Sequence, residues 1–136
     1  MSRIIDVSFP GNKKVDAKIG DVIIKTDQAI KNGGDATAPE PFQLFLASLA
    51  TCAGIYALQF CHARDLSTEG MSLKMTCQFD PGKKLYSEMD INLTLPSGFP
   101  ETHHDAIIRA MDVCAVKRHI KNAPDFSVQV TPYQVT

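Results

Sequence analysis

The chain opens with three short runs of apolar and β-branched residues, 4–9, 14–18 and 22–26, separated by Pro10-Gly11-Asn12 and by Gly20-Asp21. Runs of this length between turn residues predict an antiparallel meander. A polar loop over 27–40 contains Gly33-Gly34 and ends at Pro41, where proline suits a first helical turn because it gives up only a donor that has no intrahelical partner. A long helix is predicted from there to about residue 64. Residues 71–79 then alternate without a fault, with Met71, Leu73, Met75, Cys77 and Phe79 on one parity and Ser72, Lys74, Thr76 and Gln78 on the other. Beyond Pro81-Gly82, Leu85, Met89, Ile91, Leu93 and Leu95 again share a parity, so two half-buried strands pair as a hairpin. A second helical pattern covers 101–121 through Ile107, Ile108, Met111 and Cys114. Asn122-Ala123-Pro124 ends it, and a last strand over 126–130 alternates Phe126, Val128 and Val130 against Ser127 and Gln129, with the tail able to extend it. The order βββ-α-ββ-α-β is that of an α+β domain.

A chain of 136 residues fits one domain, 1–136, with a single core. Apolar residues at 44% and charged residues at 21% are those of an ordinary globular protein and exclude disordered, collagen-like and coiled-coil classes. Fourteen Lys and Arg against fifteen Asp and Glu leave a formal charge of -1, which supplies no field to attract nucleic acid. The N-terminus lacks the apolar stretch and small-residue cleavage site of a secretory signal, so a cytoplasmic location is expected. Residues 42–61 carry no charge and are long enough to span a bilayer. Gln43, Ser48, Thr51, Gly54 and Gln59, with no basic cluster alongside, favour a buried core helix and no membrane partner. A helix apolar nearly all round is hard to cover in a small domain. A homodimer covers it; the alternative is a monomer with the helix packed between its own sheet and second helix.

Four cysteines are too few for a disulfide scaffold and call for individual reading. Cys77 lies on the apolar parity of a regular strand and reads as core. Cys61 ends the long helix beside His62 and Arg64, but adjacent helical residues face apart, and a structural role is favoured. Cys52 sits in Ala50-Thr51-Cys52-Ala53-Gly54, where small residues permit close approach by another backbone or a small ligand. Cys114 precedes Lys117 and Arg118, cations placed to favour a thiolate if they fold back. Cys52 and Cys61 are about 13.5 Å apart along one helix and cannot be bridged. If two of the four act as nucleophile and resolving thiol, Cys52 with Cys114 is the best pair; plain core packing is the other reading of both.

The segment from Pro41 to Cys52, Pro-Phe-Gln-Leu-Phe-Leu-Ala-Ser-Leu-Ala-Thr-Cys, resembles the helix signature of the OsmC/Ohr family, a proline-led apolar helix with a cysteine eleven residues on. The run Cys114-Ala115-Val116-Lys117-Arg118-His119-Ile120 resembles the second signature of that family, usually Cys-Pro-Val. The element order and the Gly33-Gly34 loop agree, so the resemblance covers nearly the whole chain. It implies an intertwined homodimer with long central helices, two equivalent interface sites, and a thiol peroxidase for organic hydroperoxides. Cys52 matches the peroxidatic cysteine and Cys114 the resolving one. An external dithiol would reduce the resulting disulfide. The family also pairs its thiolate with an arginine from the N-terminal strands and a glutamate just after the helix proline. Here Lys13 and Lys14 stand in the first hairpin, Phe42 follows Pro41, Gln43 stands where another branch carries glutamate, Glu40 precedes the proline, and Ala115 replaces the usual proline. Lys13, Lys14, Glu40, Gln43 and Arg118 are therefore the candidate activating residues. A mid-helix cysteine receives little dipole help, so the charge is expected from the lysines, with Arg118 behind them. The rival reading is a non-enzymatic protein of the same fold that holds a small apolar ligand at the dimer interface.

His103, His104 and His119 match no zinc spacing and read as surface residues, so no metal is expected. No phosphate loop, serine elbow or carboxylate pair occurs, and no cofactor is implied.

Overall fold

The computed structural model describes residues 1–134. They form two compact units, Met1–Thr51 and a second from Cys52 onward, and the long helix contributes to both. The first unit holds β1 (Asp6–Gly11), β2 (Lys14–Ile19) and β3 (Val22–Thr26), an antiparallel sheet in the order β1-β2-β3 with Val7 opposite Ala17 and Ala17 opposite Ile24. The meander forms as expected, but β1 begins at Asp6 and runs on through Pro10 and Gly11, where a turn was expected.

Asp27 organises the loop that follows. Its carboxylate is buried and accepts bonds from the Gln28 amide (2.8 Å), the Thr37 amide (3.0 Å) and the Thr37 hydroxyl (2.6 Å). Those donors, the Thr37 hydroxyl first, hold the Asp27 carboxyl well below the usual range despite burial, which works the other way. Gly33, at φ 87, ends the short 3-10 turn Ile30–Asn32 in the left-handed region. Gly34 packs so closely on the chain that a Cβ would lie 2.0 Å from the Gln28 carbonyl oxygen. The loop delivers the chain to α1 (Pro41–Ala63).

The second unit contains the remainder of α1, β4 (Ser72–Asp80), β5 (Leu85–Thr94), a 3-10 turn at Glu101–His103, α2 (His104–Asp112) and α3 (Ala115–Lys121). Ala57, Phe60, Cys61 and Ile107 form its core, with Leu66, Met71, Leu93, Leu95 and Met111 packed around them. Spacing by four places Leu49, Ala53, Ala57 and Cys61 on one buried stripe of α1. Phe42, Phe45 and Ile55 remain exposed in the single chain, so the expectation of an all-round buried helix is met along that stripe and at Phe60. Among the described residues α1 is the one helix long and apolar enough, by length and composition, to cross a membrane.

Three further sequence expectations are corrected. The alternation of the hairpin breaks at a bulge: Gln78 pairs with Glu88 but Phe79 pairs with Tyr86, which skips Ser87. Phe79 meets its cross-strand partner Tyr86 edge-on, with ring centroids 5.3 Å apart; Phe79 and Leu85 are exposed, while Tyr86 and Asp80 are half-buried. Cys77, across from Met89, is half-buried, since a two-stranded sheet leaves its side chains part of their exposure. The second helix is also not continuous. Val113 leaves helical geometry (φ -81, ψ 27), Cys114 is extended (φ -64, ψ 126), and the chain restarts as α3. Last, residues 126–130 form no strand. Phe126, Val128 and Val130 are 86%, 94% and 90% exposed, and no strand among the described residues pairs with them. Alternation marks a segment able to join a sheet; a strand forms only where an edge meets it. The proposed extension of that strand through Val135 and Thr136 lies outside the described residues.

A candidate thiol site

Cys52 lies in the small-residue segment of α1, half-buried, and Cys114 caps the N-terminus of α3, fully buried. The cap arises from the break at Val113. Because Cys114 is extended, its carbonyl accepts the first bond of α3, from the Arg118 amide at 3.0 Å. The amides of that turn have no partner within the helix. Those of Ala115 and Val116 favour the thiolate of Cys52, and those of Val116 and Lys117 favour that of Cys114, although Cys114 makes no side-chain capping bond. The Cys114 thiol donates to Cys52.

The two sulfurs are driven apart in acidity. Burial pushes the Cys52 thiol up, but the bond from Cys114, the two amides and the charge of Arg118 outweigh it and bring the thiol below its ordinary value. Burial, and then the bond to the Cys52 sulfur, push Cys114 up, although the Lys117 and Val116 amides pull against them. One sulfur is thus disposed to be the thiolate and the other to keep its proton. The Cys61 thiol is raised by burial, with the Arg64 charge opposing.

Next to this pair lies a cavity of about 360 Å³. Ala53, Ile91, Leu93, Leu95, Ile107 and Met111 give it apolar walls, and His104 and the Asp112–Lys117 ion pair (2.7 Å) supply its polar edge. That volume accommodates a small organic molecule.

Of the activating candidates, Arg118 acts on Cys52. The rest lie in the first unit, with Lys14 at the start of β2 and Gln43 in the first turn of α1. Lys14 bonds Asp35 and stands 3.9 Å from Asp27. Glu40 accepts the Ala29 amide at 3.1 Å, and its own amide donates to the Gln43 side-chain oxygen at 3.0 Å, so Glu40 and Gln43 brace the entry to α1. Lys13 runs beside Gly33. The sequence reading missed the Ala115 and Val116 amides because cysteine is not among the residues that announce an N-cap. Cys114 occupies the cap that serine would normally fill. His103 meets Phe60 edge-on, and His119 Nδ1 lies 2.7 Å from the Ala115 carbonyl oxygen.

A profile of the OsmC-like protein family matches residues 33–129. Three solved structures share the fold. An osmotic stress induced and detoxification response protein of Psychrobacter arcticus is 20% identical over 84% of this chain and 85% of its own, with a TM-score of 0.71. An OsmC-like protein of Mycoplasma pneumoniae is 16% identical over 90% and 89%, with a TM-score of 0.70. The organic hydroperoxide resistance protein OsmC of Legionella pneumophila is 20% identical over 89% and 90%, with a TM-score of 0.54. No curated protein sequence matches the chain.

Proposed function

This chain belongs to the OsmC-like protein family, and from that premise and the thiol geometry we propose that it is a thiol-dependent peroxidase for organic hydroperoxides. The observation that carries the reading is the pairing of Cys52 with Cys114 under amides and an arginine that favour a thiolate on Cys52 alone. The name of the Legionella relative, organic hydroperoxide resistance protein, supports the same class of substrate.

In the proposed cycle the Cys52 thiolate attacks the terminal peroxide oxygen and the O–O bond breaks. The alkoxide takes a proton and leaves as alcohol, and Cys52 is left as the sulfenic acid. Cys114, already in hydrogen-bond contact, gives up its proton and attacks the Cys52 sulfur. The hydroxyl departs as water, and the disulfide forms. An external dithiol restores both thiols. The organic group of the peroxide occupies the apolar cavity beside Ala53.

The working unit is a homodimer, a reading supported by the apolar side chains that α1 leaves exposed in one chain. Four free cysteines suit the reducing cytoplasm. Peroxide consumption tests the activity. With a dithiol present, the protein should consume cumene hydroperoxide, Cys52→Ser should not, and Cys61→Ser should match wild type. If wild type leaves both cumene hydroperoxide and hydrogen peroxide untouched, the ligand-binding reading takes its place.

A further inference from the structure

A second cavity, of about 200 Å³, opens on the other side of the ion pair. Its wall includes Cys114 and three cations, Lys117, Arg118 and Lys121, against one carboxylate, Asp112. Lys117 occupies that carboxylate at 2.7 Å, and among the described residues Arg118 and Lys121 form no direct ion pair. The apolar cavity, by contrast, lacks Cys114, Arg118 and Lys121 and shares only Asp112 and Lys117 with this one. The ion pair therefore stands between an apolar chamber and a cationic one.

Disulfide exchange gives the two chambers different partners. A thiolate attacking a disulfide reacts faster when the sulfur it expels is the more stable thiolate. In a Cys52–Cys114 bond that sulfur is Cys52, which keeps the Ala115 and Val116 amides and the Arg118 charge around it. Attack is thus directed at Cys114, the sulfur whose residue walls the cationic chamber. We propose that this chamber is the entrance for the reductant, and that it selects a small thiol bearing a carboxylate. The inference rests on the peroxidase reading above. The incoming thiolate bonds the Cys114 sulfur, the Cys52–Cys114 bond breaks, and its electron pair leaves with Cys52. A second thiolate of the same reductant bonds the first one's sulfur and expels Cys114, which takes a proton from water. One protein disulfide is reduced and one reductant disulfide is formed.

The test begins from protein oxidised with diamide. Reopening of the disulfide is timed by mass spectrometry with mercaptoacetate and with its neutral analogue mercaptoacetamide, at equal thiolate concentration. Each rate is divided by that of the same thiol with oxidised 2-mercaptoethanol, which removes intrinsic nucleophilicity. Mercaptoacetate should be favoured on the order of tenfold at low ionic strength, with the preference fading at high salt and lost in Lys121→Glu. Lys121 ends α3 and is exposed, outside the thiol contacts, so peroxide oxidation of Cys52 in that variant should stay at the wild-type rate. Equal normalised rates, or a preference unchanged in Lys121→Glu, overturn the entrance. If diamide yields no Cys52–Cys114 bond, the resolving step of the proposed cycle fails separately. The chamber is then read on the reduced protein by titrating succinate and following amide NMR signals. Shifts at Cys114, Arg118 and Lys121 that vanish in Lys121→Glu support it, and their absence overturns it.

Discussion

At the scale of single residues, Ala115 is among the groups that bring the Cys52 thiol below its ordinary value. Its amide favours the thiolate of Cys52, and proline, usual at this place in the family it resembles, has no such group. The substitution Ala115→Pro is well suited to test this, because Cys114 already has the extended backbone that a following proline requires and Ala115 is the first residue of α3. The helix should survive while one donor is lost. The thiolate is the reactive form, so a lowered thiol acidity constant means that the rate of Cys52 oxidation climbs with pH and levels off below the ordinary thiol range of about 8.5. In Ala115→Pro the whole profile should move to higher pH, and the rate at neutrality should fall by roughly threefold to tenfold, in keeping with the loss of a hydrogen bond to a charged group. Absorbance of the thiolate, followed through a pH titration, checks the shift directly. A profile that does not move would mean that the Cys114 thiol and Arg118 suffice.

At the scale of elements, the loop between β3 and α1 is held by backbone contact as much as by side chains. Gly34→Ala would press a methyl group into the Gln28 carbonyl, where no flexible side chain can yield. A loss of at least ~2 kcal/mol in urea unfolding is expected, whereas Gly54→Ala, with open space around its Cβ position, should be far milder. Elements whose signal is local were legible in the sequence: Gly20-Asp21 separates β2 from β3, although β1 runs on through Pro10 and Gly11, and Pro41 opens α1 where it was expected. Features decided by tertiary context were not. The bulge at Gln78–Phe79 leaves no trace in a faultless alternation, and Phe79 beside it is exposed. The break at Val113 interrupts an intact helical pattern, yet it starts a new helix at Ala115 whose first amides favour a thiolate on Cys52. Cys52, Cys114 and Arg118 could be picked out from the sequence, while the amides that tune them could not, because backbone donors have no residue type to read. Lys14, chosen for its charge, pairs within the first unit with Asp27 and Asp35.

At the scale of the whole molecule, many large apolar side chains stand exposed on the single chain. Phe42, Phe45 and Ile55 on α1 and Phe126, Val128 and Val130 in the tail are all exposed. A second copy is the occupant proposed above for the helix. Sedimentation at micromolar concentration should therefore give a species of twice the 14.9 kDa chain mass, and Ile55→Glu should shift it towards the monomer. The central claim concerns the two sulfurs, and intact-protein mass spectrometry after one equivalent of cumene hydroperoxide reads them most directly. Wild type should lose the mass of two hydrogen atoms, with Cys52 and Cys114 recovered in one cross-linked peptide. Cys114→Ser should gain one oxygen atom on Cys52. An unchanged mass in both, or oxidation that falls on Cys61 or Cys77 while Cys52 stays a thiol, would contradict the peroxidase.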